Sequence, residues 1–442
     1  MSDNPITRRA SYGPSSPDVG TRGASTRSKI VDVSLALFGE VGFFNTSVDT
    51  IAKGAGISRA TLYQYFPGKE AIFLELLEEC GRALFRVARR IGPLGPTDVG
   101  FDNLNWWLGE WSWVFEKYST MFVQWMSVAS SDTEVRPEIT RFVGGYNQRI
   151  ADRLKSSGLA GMDATAAAAI MTAVVHRMNL FIHTDRAYGR DTQSVVDSVS
   201  VFLQLMLFPE TPDSVLSGLG LSAVGHDSID IPPMPDVAGL AMQDRIAGLS
   251  KRAVNTVQTL AEAGAVQFRE RGYHRTSVDD IVEQAGLARG TFYKYFSEKQ
   301  DLLVALSTEA IASTVDFADR IVQIDPMAAD DTAFRGWLAD YLDFALRFAG
   351  TIDAWTEHST DSDIVLRLGS YGQGKMDDAL LRAVSSRKRD YPFDPVMAAL
   401  IFRAVISRVP PATQELSTPL THDEVIDLLV ACIRRGFFTR AS

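Results

Sequence analysis

Arg59, Thr61, Tyr63 and Gln64 share one short stretch of chain, and a second stretch repeats the arrangement with Arg289, Thr291, Tyr293 and Lys294. Side chains of these types can read a DNA major groove. An arginine fork addresses guanine O6 and N7, a glutamine addresses adenine, and a threonine methyl meets the thymine methyl. Tyr63, Tyr65 and Lys69 suit phosphate oxygens, as do Tyr293, Tyr295 and Lys299 at the same positions of the second set. Lys69 falls near the start of a following helix, where backbone N–H groups also attract anions.

Positioning those groups requires two short helices and a tight turn. Ser47–Phe66 reads SVDTIAKGAGISRATLYQYF, and Ser277–Phe296 reads SVDDIVEQAGLARGTFYKYF. Val48, Ile51, Ala52 and Ala55 share one face of a first helix, and Ile57, Leu62 and Phe66 supply the matching apolar contacts. Gly56 takes the turn, where a side chain would resist the backbone conformation. With Leu62 and Phe66 turned inward, Ala60, Thr61 and Gln64 centre the outward face, and Arg59 lies in the first turn, closest to base edges. Gly290 stands at the position of Ala60. Thr46 or Ser47 caps the first helix and Ser58 the second, Thr276 matches Thr46, and Thr46, Ser58 and Thr276 join the DNA-contact candidates. Polar residues on three packed helices could look like this by chance once, but their recurrence favours a reader.

The repeat extends well past the motif. The shift that lays Ser277 on Ser47 also lays Trp337-Leu338 on Trp107-Leu108, Trp355 on Trp125 and Phe438 on Phe208. With one extra residue, Asp394, Ile401 and Arg408 fall on Asp163, Ile170 and Arg177. A whole domain was therefore copied, giving two globular units rather than a solenoid. The boundaries read as a disordered leader at 1–25, a first head at 26–72, a first body at 73–208, a linker at 209–239, a second head at 240–302 and a second body at 303–442. The leader is rich in Ser, Pro and Gly, and the linker carries prolines with acidic charges alone.

Composition sets outer limits. Hydrophobic content of 46% and charged content of 22% are those of an ordinary globular protein. No run of apolar residues is long enough to predict a membrane span, and the polar N-terminus carries no secretory h-region. Cys80 and Cys432 give neither metal-ligand spacing nor a disulfide framework, which suits a reducing cytoplasm. A net charge of −10 speaks against indiscriminate nucleic-acid coating but leaves a site-specific reader open, because local charge decides. No cofactor or metal is expected. His176 and His183 lack a third ligand, and neither a phosphate-cradling loop nor a nucleophile elbow is present, so an enzyme is not expected.

The pattern T-S-V-D-x-I-x-x-x-A-G-x-x-x-x-T-x-Y-x-Y-F-x-x-K resembles the N-terminal domain of TetR-family (AcrR-type) transcriptional regulators, and two copies in one chain resemble the tandem TetR regulators of actinobacteria. The resemblance implies an all-α fold of two tandem TetR-like units. Each would pair a three-helix helix-turn-helix head with a larger helical effector-binding and dimerisation body. It also implies a double-stranded DNA operator, a small lipophilic effector such as a fatty acyl or sterol-like molecule, and a ligand-responsive repressor. The copies differ at Ser58/Ala288, Gln64/Lys294 and Ala60/Gly290, which predicts unequal half-sites. An alternative is a ligand-binding or protein-interaction module in which one head has lost DNA binding, supported by Asp279, Asp280 and Glu283.

For an effector, Trp107, Trp111, Tyr118, Phe122, Trp125 and His176 are the pocket candidates, set against plain core packing of equal weight. The segments 163–185 and 192–208, with 394–410 and 421–438, are predicted to pair as a four-helix bundle. The chain would then be an intramolecular pseudo-dimer, with further homodimerisation open.

Overall fold

In the computed structural model the described residues are 17–130, 135–159, 161–216, 228–355, 362–385 and 394–438. Their regular structure is helical throughout, with no strand among the described residues. The first copy contains α1 (Pro17–Val41), α2 (Val48–Ala55), α3 (Arg59–Tyr65), α4 (Lys69–Arg90), α5 (Asp98–Lys117), α6 (Ser119–Ser130), α7 (Arg136–Lys155), α8 (Ala164–His183) and α9 (Thr192–Leu207). A short α10 (Asp213–Leu216) lies in the connector. The second copy contains α11 (Met242–Ile246), α12 (Lys251–Arg271), α13 (Val278–Ala285), α14 (Arg289–Tyr295), α15 (Lys299–Ile321), α16 (Thr332–Asp353), α17 (Asp363–Ser385), α18 (Pro395–Gln414) and α19 (His422–Ile433), ending in a π-helical turn at Arg434–Phe438. The leader expected to be unordered over 1–25 is corrected at its end, because α1 already begins at Pro17, a residue suited to a first helical turn. Residues 1–16 lie outside the described residues.

Contacts divide the chain into two compact units: residues 1–85 with 117–142, and residues 86–116 with 143–442. The first unit holds the first head. Phe38, Phe43 and Phe73 form its centre, with ring centroids 5.3 Å apart for Phe38–Phe43 and 5.2 Å for Phe43–Phe73. Ile30, Ile51, Leu62, Phe66 and Ile72 complete that core with no exposed surface. α6 packs on α1, and the Phe43 N–H donates to Gln124 Oε1 at 3.1 Å.

The second unit brings helices of both copies together. α8 packs along α18, and α9 packs on α8, α18, α19 and the final π-helical turn. Burial explains the apolar length of α8 and α18: they could span a membrane by composition, yet 78% and 72% of their apolar windows lie inside the protein. Arg190 grips Asp394 with two bonds of 2.8 and 3.2 Å, and Tyr188 donates to Asp377 at 2.8 Å. At the C-terminal end a Cβ on Gly436 would lie 2.2 Å from the Phe202 ring, so only glycine allows this approach. Phe437 then packs between a tilted Phe202 ring at 4.8 Å and a stacked Phe402 ring at 5.8 Å. The second head belongs to the same unit. A Cβ on Gly350 of α16 would sit 2.2 Å from the Phe268 backbone in α12, and Arg347 bridges Glu262 and Glu309 at 3.0 and 2.7 Å.

Candidate nucleic-acid interface

Local capping builds each reader. Ser47 accepts the Thr50 N–H at 3.0 Å and opens α2, and Gly56 closes it in the left-handed region at φ +67°. Ser58 then opens α3 by accepting the Thr61 N–H at 3.0 Å, and its hydroxyl shares a 2.8 Å bond with Thr61 Oγ1. In the second head Ser277 and Asp280 form a reciprocal capping box, and Gly286 turns at φ +65°. Ala288 starts α14 with no side-chain cap.

Above these caps the same three-residue clamp recurs. Arg59 donates to Asp49 at 3.2 Å and to the Tyr63 hydroxyl at 3.2 Å, with its guanidinium 5.5 Å over the Tyr63 ring. Arg289 donates to Asp279 at 2.9 Å and to the Tyr293 hydroxyl at 3.3 Å, 5.7 Å over the Tyr293 ring. Both tyrosines stand out, Tyr63 at 45% and Tyr293 at 48% exposure. The tyrosine hydrogen bond and then the aspartate charge hold both arginines above their ordinary pKa. Sequence reasoning misses Asp49 and counts Asp279 only as a repulsive charge. A carboxylate ten residues before each arginine, inside a repeated motif, is the available signal. Ala60, Gln64, Gly290 and Lys294 are exposed beside the clamps, and Thr61 and Thr291 are half-buried.

Several expected DNA contacts are engaged inside the head. Lys69 and Lys299 do not reach outward. Lys69 Nζ donates to the carbonyls of Phe43, Phe44 and Thr46 at 2.7, 3.2 and 2.9 Å, and Lys299 does the same to Tyr273, His274 and Thr276 at 2.8, 3.2 and 2.9 Å. Desolvation by burial lowers the pKa of both. Thr46 and Thr276 are 2% exposed, and their hydroxyls donate to the carbonyls of Gly42 and Gly272 at 2.8 and 2.9 Å. Tyr65 is 4% exposed, because three residues after Leu62 it shares the inward face, and Tyr295 is half-buried. Together these side chains tie the reader to its scaffold.

The sequence profile described as "Bacterial regulatory proteins, tetR family" matches residues 30–76 and again 260–306. Both heads are tetR-family domains. Each match begins part-way along the helix before the capped turn and ends in the helix after the reader, so the tetR profile covers both helix-turn-helix motifs with parts of the flanking helices. Among curated relatives, an uncharacterized HTH-type transcriptional regulator of Bacillus subtilis is 34% identical over 68 residues, covering 15% of this chain and 35% of that protein. A putative mycofactocin biosynthesis transcriptional regulator of Mycobacterium tuberculosis is 48% identical over 54 residues, 12% of this chain and 27% of the relative. The fatty acid metabolism regulator protein of Bacillus subtilis is 37% identical over 57 residues, 13% and 29% of the two chains. The chain thus spans about a third or less of the length of these relatives.

The effector candidates are divided. Trp107, Trp111 and His176 belong to the second compact unit, where Trp111 stacks on Phe115 at 5.9 Å and His176 meets the Trp111 ring edge-on at 6.3 Å. Tyr118 and Phe122 belong to the first unit, where the Tyr118 hydroxyl donates to Glu79 at 3.0 Å. The Trp125 side chain lies outside the described residues.

Proposed function

We propose that this chain is a sequence-specific DNA-binding transcriptional regulator, a ligand-responsive repressor whose two heads act as an intramolecular pseudo-dimer. The observation that carries the reading is the duplicated clamp: an exposed arginine and tyrosine, set by an aspartate, at the start of a short capped helix in each head. An arginine held this way is pre-aimed for a bidentate base contact, and the tyrosine hydroxyl sits ready for a phosphate. The association of α8 and α9 with α18 and α19 supports the pseudo-dimer. Gln64 against Lys294 supports unequal half-sites, since one side chain can accept from a base edge and the other only donates. A relative named as a fatty acid metabolism regulator supports a lipophilic effector. A ligand favouring one arrangement of the bodies would shift the population away from the DNA-competent state.

Selection of genomic fragments by the purified chain, followed by footprinting, tests this. The expected winners carry an interrupted site with two unequal halves. Tyr63→Ala and Tyr293→Ala each lose roughly tenfold or more in affinity, as removal of a charge-backed contact should. The uncapped start of α14 at Ala288 favours a second reading in which the second head is silent; Tyr293→Ala without effect would establish it.

A further inference from the structure

Arg177 on α8 and Arg408 on α18 occupy matched positions of the repeat, and their helices pack together. Arg177 is 6% exposed, and neither its Nε nor that of Arg408 has a hydrogen-bond partner among the described residues. Burial and then the charge of Arg408 push the Arg177 pKa well down, with Arg403 and Arg186 adding to the repulsion. The neighbouring carboxylates are engaged or few. Asp377 holds Arg403 and Tyr188, Asp394 holds Arg190, and Asp353 is the carboxylate acting on Arg177. An arginine does not shed its proton in a protein, and like charges taken out of water are expensive unless an anion joins them.

We propose that Arg177 and Arg408 recognise the carboxylate of an apolar ligand seated between the two bodies. Two guanidinium forks approaching from opposite copies match the two oxygens of one carboxylate. The surroundings favour a hydrocarbon tail over a hydrated inorganic ion. The Phe181 ring lies under Arg177 at 4.7 Å and under Arg403 at 4.1 Å. Buried Tyr341, close enough to feel both Arg177 and Arg408, stacks on Trp337 at 5.4 Å in the second body. His176, next in sequence to Arg177, borders the Trp111 cluster of the first body. A ligand here would touch both halves at once, so its occupancy would be felt by both.

This site deepens the ligand-responsive reading, and it is tested on the intact chain without DNA, so failure to bind ligand and failure to bind an operator are read separately. Oleate, methyl oleate and inorganic phosphate are titrated by calorimetry, with thermal melts alongside. Oleate is expected to bind once per chain and raise the melting temperature, at least tenfold more tightly than its neutral ester or phosphate. Arg177→Met is expected to lose roughly tenfold or more of oleate affinity. Its ligand-free melting temperature should stay level or rise, because a buried charge facing like charges has gone. Arg408→Met, at a less buried position, carries the same expectation if Arg177→Met fails to fold. No oleate binding, equal binding of methyl oleate or phosphate, or full oleate affinity in a folded variant would each overturn the proposal.

Discussion

Lys69 and Lys299 show how a residue of the right type can serve another purpose. Each ammonium sits over an aromatic ring, Phe43 at 4.6 Å and Tyr273 at 4.5 Å, while donating to three carbonyls of the turn before the reader. Those carbonyls follow the first helix of each head; Phe43 and Tyr273 also accept the Thr46 and Thr276 N–H groups at 3.3 Å, and the lysine gathers all three carbonyls of its turn. Lys69→Met should therefore destabilise the protein by about 1.5–3 kcal/mol, the range for hydrogen bonds to a charged group. Lys69→Arg should rescue little, because a planar fork cannot aim at three converging carbonyls. Chemical denaturation measures the first effect, and the salt dependence of DNA binding separates the roles. Replacing a structural lysine leaves the slope of log affinity against log salt unchanged, whereas replacing one that neutralises a phosphate would lower it by about one. A folded, fully stable Lys69→Met protein with a shallower slope would restore the phosphate assignment.

At the scale of elements, the two readers differ most at their first residue. Ser58 caps α3 through the Thr61 N–H, and Ala288 leaves the corresponding donors of α14 without a side-chain cap. Ala288→Ser should stabilise the second head by about 1 kcal/mol, and Ser58→Ala should weaken the first by a similar amount. Hydrogen exchange at Thr61 and Thr291 would register both changes; unchanged protection at Thr291 in Ala288→Ser would show that α14 is held by packing alone. These caps, with Gly56 and Gly286, are legible in the sequence because their chemistry is local: each partner lies within a few residues. The burial of Tyr65 is legible in principle too, since the helical period that buries Leu62 also carries a residue three further on to the inward face. The role of the Thr46 hydroxyl is not, because besides the Gly42 carbonyl it reaches back nine residues to that of Leu37, at 3.4 Å. Nor is the division into compact units. The Pro-rich stretch after Phe208 marks the copy boundary by composition, but α8 and α18 pair across it, and no local pattern encodes that partnership.

For the whole molecule, covalent duplication changes how DNA affinity should depend on concentration and on operator geometry. Two separate chains must associate before both half-sites are held, so binding weakens on dilution. A single chain brings its second head at an effective concentration on the order of mM, fixed by the polypeptide. Within the second compact unit helices of both copies interlock: Arg190 grips Asp394 while Phe437 fills the space between Phe202 and Phe402. Operator binding should therefore follow a simple one-chain isotherm down to the lowest concentrations, with one chain per site by sedimentation. Inserting about five base pairs between the half-sites turns one of them to the opposite face of the duplex. A stiff pseudo-dimer then loses its second head and roughly 10²–10⁴ of its affinity, and an insertion of about ten base pairs, which restores the face but not the spacing, leaves it impaired. A flexible tether would instead lose little at either insertion. A site that bound two chains cooperatively would mean that each half-site is read by heads from different molecules.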